Sequence, residues 1–208
     1  MLRLPAGYRA ETDTEVKRSR FRCTLARVDS EEAARAVVAE VRRAYPDARH
    51  HCTAFIVEVP DALAIERSND DGEPSGTAGM PMLDVLRGSG LTQVVAVVTR
   101  WFGGVLLGTG GLARAYSGAV SQALNAAPRV EVVERALFEL TLDHADAGRV
   151  QAELINHGCE LVDAAYGAAV QLTVAVPDAA AFVALVAAVS RGSGLARRRG
   201  AWRTERAL

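Results

Sequence analysis

The segment SNDDGEPSGTAGMPMLDVLRGSGLTQVVAVVTRWFGGVLLGTGGLARAY, Ser68 to Tyr116, holds ten of the chain's eighteen glycines, all between Gly72 and Gly111. Glycine is used where the backbone needs positive φ or must let another group come close. A glycine-dense segment wrapped around one apolar strand therefore predicts a shaped backbone surface. Two glycine-rich loops each lead into a helical pattern, Thr77 to Leu86 and Thr109 to Ala127, and Thr77 is the expected cap of the first. Helix starts carry unpaired N–H groups and partial positive charge that hold phosphates or carboxylates. Ser75, Gly76 and Thr77, with Gly108, Thr109, Gly110 and Gly111, are accordingly candidate anion-binding residues. Between the loops, Gln93 to Thr99 is a continuous apolar run, expected as a central strand covered on both faces.

Length and composition bound the rest. With 208 residues, half of them hydrophobic, the chain is long enough for one domain or two smaller ones. A net charge of -1 gives no bulk attraction to nucleic acid, so any such contact depends on local patches. Three cysteines, Cys23, Cys52 and Cys159, form no CxxC pair and fit a reducing compartment. The start MLRLPAGY lacks a signal-type apolar core. The longest strongly apolar run, Ala179 to Val189, falls short of the roughly 20 residues a membrane span needs. A cytoplasmic protein without a membrane partner is expected. Of the 24 basic residues only Lys17 is a lysine, which reads as a compositional bias. It excludes a P-loop and confines any lysine Schiff base to Lys17.

Working outward, residues 1 to 18 read as a polar, irregular lead-in. Ser19 to Val28 reads as a strand with Phe21, Cys23 and Leu25 on one face and Arg20 and Arg22 on the other. Ser30 is placed to cap a helix that carries Glu31 and Glu32 in its first turn and stops at Tyr45-Pro46. His50-His51-Cys52 leads into a β-like run from Thr53 to Val59, broken at Pro60. The N-terminal half thus reads as a sheet covered mainly by helices on one side. From about Arg135 a new pattern begins: strand, a helix from Asp146 to His157, strand, turn at Tyr166-Gly167, a strand alternating Val170, Leu172, Val174 and Val176, an Asp178-capped helix, and a short last strand from Ala201 to Glu205. This is β-α-β-β-α-β, a ferredoxin-like order. The expected domains are residues 1–132 and 133–208 of an α+β chain.

The segments KRSRF (Lys17 to Phe21), HHCTA (His50 to Ala54), SNDDGEPSGTAGMPML (Ser68 to Leu83) and TRWFGGVLLGTGGLARAY (Thr99 to Tyr116) resemble the IMPACT family. The resemblance covers roughly Lys17 to Arg129. Where the family typically has glycine after the lysine this chain has Arg18, and Trp101 stands where tyrosine is usual. The resemblance implies a ribosomal protein S5 domain 2-like N-terminal domain. In bacterial members a ferredoxin-like domain similar to the last domain of elongation factor G follows it. Eukaryotic relatives regulate translation under amino-acid starvation.

Each candidate site has two readings. Asp70, Asp71 and Glu73 are a carboxylate cluster able to hold Mg²⁺, or a turn followed by an extended link. With His51 they form a candidate functional polar cluster. Consecutive strand residues alternate in direction, so His50, His51 and Cys52 do not converge as a zinc site; one histidine serves as a general base or is simply paired. Ser75 lies in GEPSG, not GxSxG, so no nucleophile elbow is indicated. GTGGLA, Gly108 to Ala113, follows its strand too distantly for a dinucleotide site. It remains either an anion site or tight helix-to-sheet packing.

Lys17, Arg20, Arg22, Arg100 and Arg114, with Trp101 and Phe102, are the expected nucleic-acid surface, or aromatic core packing at a strand end; Arg197, Arg198 and Arg199 extend the basic surface or form a solvated turn. No catalytic residue, metal or cofactor is assigned. The leading expectation is a non-catalytic, translation-associated regulatory protein contacting RNA or the ribosome. The alternatives are an enzyme acting on a nucleotide or phosphorylated small molecule at the Asp70–Glu73 and Thr109–Gly111 loops, and a scaffold for a protein partner.

Overall fold

The computed structural model describes residues 1–59, 62–192 and 194–208. The chain divides into two compact units, Met1–Glu131 with Arg206–Leu208, and Val132–Glu205. The last three residues therefore join the first unit, which the sequence reading had not anticipated. The expected break at Pro60 lies outside the described residues.

In the first unit a five-stranded antiparallel sheet runs β2-β3-β7-β4-β5. Its strands are β2 (Arg9–Val16), β3 (Ser19–Arg27), β4 (His50–Val57), β5 (Ile65–Asn69) and β7 (Val94–Trp101). Two short strands, β1 (Leu2–Arg3) and β6 (Leu91–Thr92), pair with each other, and β1 also pairs with Val130 and Glu131. Helix α2 (Gly79–Ser89) and helix α3 (Thr109–Ala126) bring Leu86 and Tyr116 onto one sheet face, where Phe21, Cys23, Cys52 and Val98 point. Helix α1 (Glu31–Ala44) covers the other face through Ala34 and Val41, against Ala26, Phe55, Val95 and Val97. β7 is thus buried on both sides, as its unbroken apolar run requires. Ser30 caps α1 by accepting from the Ala33 N–H.

Residues 1 to 18 are not an irregular lead-in. β2 pairs with β3 along its whole length, from Arg9↔Ala26 to Val16↔Ser19. Its polar RAETDTEV sequence is that of an edge strand with only half-buried alternate positions. The connecting turn is two residues, Lys17 and Arg18, with φ of 47° and 66°. Positive φ at both positions is the requirement of a type I′ hairpin turn, normally met by Asn-Gly. The Lys-Arg pair concealed it. β5 follows the expected Pro60 break and pairs with β4 from Thr53↔Asn69 to Val57↔Ile65.

In the second unit, β8 (Val130–Leu142) lies between β10 (Val170–Val176) and β11 (Leu195–Ala207), and β10 pairs in turn with β9 (Glu160–Tyr166). The order β11-β8-β10-β9, with α4 (His144–Asn156) and α5 (Ala179–Val189), is the expected ferredoxin-like fold. Asp178 caps α5, accepting from Ala180 and Ala181 N–H. The last strand is far longer than expected, so Arg197, Arg198 and Arg199 lie on β11 and not in a turn; Arg199 is paired with Glu139 at 2.7 Å.

One contact fixes how the Lys17-Arg18 turn meets the loop after β7. A Cβ on Gly103 would lie 2.0 Å from the Arg18 carbonyl carbon and 2.1 Å from its oxygen. Gly103→Ala should therefore destabilise by about 1–3 kcal/mol through overpacking. Gly88→Ala, on an open surface of α2, should instead stabilise by a few tenths to about 1 kcal/mol. Urea denaturation of the two variants checks the contrast; equal midpoints would contradict it.

Candidate functional site

The antiparallel register collects the sequence motifs at one end of the first unit's sheet. Arg20 lies opposite Trp101, and His50 lies opposite Arg100. The Lys17-Arg18 turn, the end of β7, the start of β4 and the Asp70–Thr77 loop are therefore neighbours.

The three loop carboxylates do not converge on one point. Asp70 accepts from the backbone N–H groups of Gly76 (2.8 Å), Ala78 (3.0 Å) and Gly79 (2.7 Å). It does from outside what Thr77 was expected to do as cap: the Thr77 hydroxyl donates instead to the Pro74 carbonyl at 2.6 Å. Burial alone would raise the Asp70 pKa, but the three N–H bonds together outweigh it and leave it below the ordinary carboxylate value. Of the N–H groups expected to hold an external anion around Ser75, Gly76 and Thr77, that of Gly76 is taken by the chain's own carboxylate and that of Thr77 donates to the Pro74 carbonyl at 3.1 Å, while Asp70 also fills the start of α2 through Ala78 and Gly79. Gly79 is required here, since a Cβ would come within 2.7 Å of the Asn69 nitrogen.

Asp71 accepts from the His51 N–H at 2.6 Å and pairs with Arg42 of α1. Glu73, its side chain 4% exposed, accepts at Oε1 from Arg100 Nη1 at 2.6 Å and from the Tyr116 hydroxyl at 2.7 Å. That hydroxyl is pushed up in pKa first by burial, then by Cys52 and Glu73. Each carboxylate ties the loop to a different element.

The second glycine-rich helix start is different. α3 begins after Gly108, which offers no side-chain cap, and its first turn has no acidic residue. The first intrahelical bond is Leu112 N–H to the Gly108 carbonyl, so the N–H groups of Thr109, Gly110 and Gly111 have no acceptor within the helix. At this helix start Gly108 and Thr109 border a cavity of about 440 Å³ whose walls include Arg49, His50, Glu73, Arg100 and Phe102.

Alternation divides the expected nucleic-acid surface. Arg100 and Phe102 line the cavity on the α2–α3 side, and Arg100 is 6% exposed. It is an internal partner of Glu73 and not a surface contact. Arg20, Arg22 and Trp101 occupy the α1 side. Arg20 stacks on Trp101 at 3.9 Å, an arrangement in which ring quadrupole and cation attract. The Trp101 indole donates to Asp47 at 2.7 Å. Arg22 is held by both Asp13 oxygens, at 2.8 and 2.6 Å, and donates to the Tyr45 hydroxyl at 3.0 Å. Arg114 folds back over the first turn of α3, its Nη1 3.5 Å from where a Gly110 Cβ would sit.

The histidine assignment is corrected. His51 points to the α1 side, buried against the Thr99 hydroxyl at 3.1 Å, and burial lowers its pKa. His50 faces the cavity, its Nδ1 2.8 Å from the Asp71 carbonyl and its Nε2 4.0 Å from Glu73. Counting back two from buried Cys52 would have found it. Arg49 and Leu106 were also missed, for want of any periodic signal in their loops.

The Impact N-terminal domain family matches residues 17–124, the whole span from the β2–β3 turn to α3. The chain belongs to the IMPACT family. A second match, Domain of unknown function (DUF1949), covers residues 140–193. Among relatives, the IMPACT family member YigZ of Escherichia coli (strain K12) is 44% identical over 86% of this chain and 89% of its own length. An IMPACT family member of Haemophilus influenzae is 42% identical over 80% and 81%. A solved structure described as a hypothetical protein is 41% identical with a TM-score of 0.61, covering 94% of this chain and 95% of that one.

Because Asp70's pKa is lowered in the fold, its contribution to stability is present above the ordinary carboxylate value, about 3.9, and is lost as pH falls through the lower folded value. Asp70→Ala should destabilise by about 1–3 kcal/mol by leaving three N–H groups without an acceptor. It should also flatten the loss of stability on acidification below about pH 4. Denaturation midpoints across that range check both effects.

Proposed function

We propose that this IMPACT family chain is a non-catalytic regulatory protein of translation that contacts RNA, free or in the ribosome, through the sheet end just described. The family's eukaryotic members supply the translation context. The observation that carries the reading is a sorting of charge. At the sheet end the buried cation, Arg100, is neutralised by Glu73, whereas Lys17, Arg18, Arg20, Arg49 and Arg114 are exposed. Among the described residues none of these five forms an ion pair. An arginine-covered indole and an open helix start lie among them. Such a surface suits phosphates and unstacked bases, with the N–H groups of Thr109, Gly110 and Gly111 as further phosphate donors. The overall charge of -1 does not oppose this, since binding of the backbone depends on the local patch.

The test is single-stranded RNA binding at about 50 and 200 mM salt. Four neutralised phosphates would weaken binding roughly 50-fold across that range, from a slope of about -0.7 per contact. Arg20→Ala and Arg49→Ala should each reduce the slope by about 0.7. Salt-independent affinity, or slopes unchanged in both variants, would refute the reading.

A further inference from the structure

The cavity beside α3 combines three features that together specify a ligand class. Its anion-attracting end is the α3 start, where the N–H groups of Thr109, Gly110 and Gly111 lack helical acceptors and exposed Arg49 has no ion pair among the described residues. The neighbouring α2 start makes the contrast, since Asp70 already fills it. One helix start is closed by the chain and the other is left open.

The second feature is a hydrogen-bonding edge deep in the cavity. Arg100 and Tyr116 both bond to Glu73 Oε1, so neither occupies Oε2. The Asp71 carbonyl accepts only from a protonated His50 Nδ1, which leaves Nε2 of the neutral ring as an acceptor on the cavity side. Arg100, 6% exposed, has its Nε buried with no partner among the described residues. A donor and two acceptors thus stand close together. An aliphatic acid would leave all of them unpaired, which is costly for buried polar groups. A heterocycle with mixed donors and acceptors on its edge satisfies them.

The third feature is an apolar flank. Phe102 is 48% exposed and Leu106 83% exposed, and both border the cavity. Exposed aromatic rings at a cationic site are stacking platforms for bases.

We propose that this cavity receives one unstacked nucleotide, with its phosphate at the α3 start, its base along Phe102, and the base edge at Glu73, His50 and Arg100. The proposal names the ligand of the sheet end and rests on the RNA reading only for the source of that nucleotide, as one residue of a strand. A free mononucleotide has the same chemistry.

The experiment is titration of the full chain with the four nucleoside 5′-monophosphates, the matching nucleosides and inorganic phosphate, followed by calorimetry. At least one monophosphate should bind at least tenfold more tightly than inorganic phosphate and than its own nucleoside. Phe102→Ala, at an exposed position, should weaken it roughly tenfold, and Arg49→Ala should weaken it while leaving the nucleoside unaffected. Arg67→Ala on β5 should change nothing. Equal binding of inorganic phosphate and every monophosphate, or unchanged affinity in Phe102→Ala, would overturn the proposal. Salt-dependent RNA binding without any mononucleotide binding would overturn it and leave the RNA reading standing. Mononucleotide binding without RNA binding would uphold it and overturn the RNA reading.

Discussion

The Asp70–Glu73 loop is held by three carboxylates, each committed to a different element, and the sheet end depends on that division. Asp70 closes the start of α2, Asp71 joins β4 to Arg42 of α1, and Glu73 joins Arg100 of β7 to Tyr116 of α3. A buried ion pair adds little net stability compared with apolar packing, yet removing one partner leaves an uncompensated charge and is strongly destabilising. The Glu73–Arg100 pair therefore acts mainly as a constraint on geometry. It sets where β7 ends relative to α3, and thereby the shape of the cavity between them.

The same division sorts the cations. Strand alternation sends Arg100 inward, to a carboxylate, and sends Arg20 outward, to an indole. Arg22 is neutralised by Asp13, whose own pKa is lowered, above all by that hydrogen bond. Exposed Arg49 and Arg114 are left beside the start of α3, which no side chain caps. The charge this end presents to solvent comes from what the fold leaves unpaired, not from the chain's total charge.

Much of this was legible in the sequence. The unbroken apolar run of β7, the Ser30 and Asp178 caps and the period of two in β10 follow from local rules, and each element formed where those rules placed it. What stayed hidden depended on pairing across the chain. β2 carries no apolar stripe because it is an edge strand, and its turn uses Lys17 and Arg18 where glycine would have signalled it. Thr77 satisfies the local rule for a cap, but a carboxylate seven residues earlier reaches the same N–H groups. A single basic surface was expected from residues that the pleat places on opposite faces, and only the register reveals the split.

The most direct test of the sheet end as the binding surface is a backbone and indole NMR titration of the full chain with a short single-stranded RNA. Shifts should concentrate at the Thr109, Gly110 and Gly111 amides, at the Lys17-Arg18 turn and at the Trp101 indole, with the Trp202 indole of the second unit unmoved. Shifts confined to the second unit, or none at saturating RNA, would contradict the assignment of this surface.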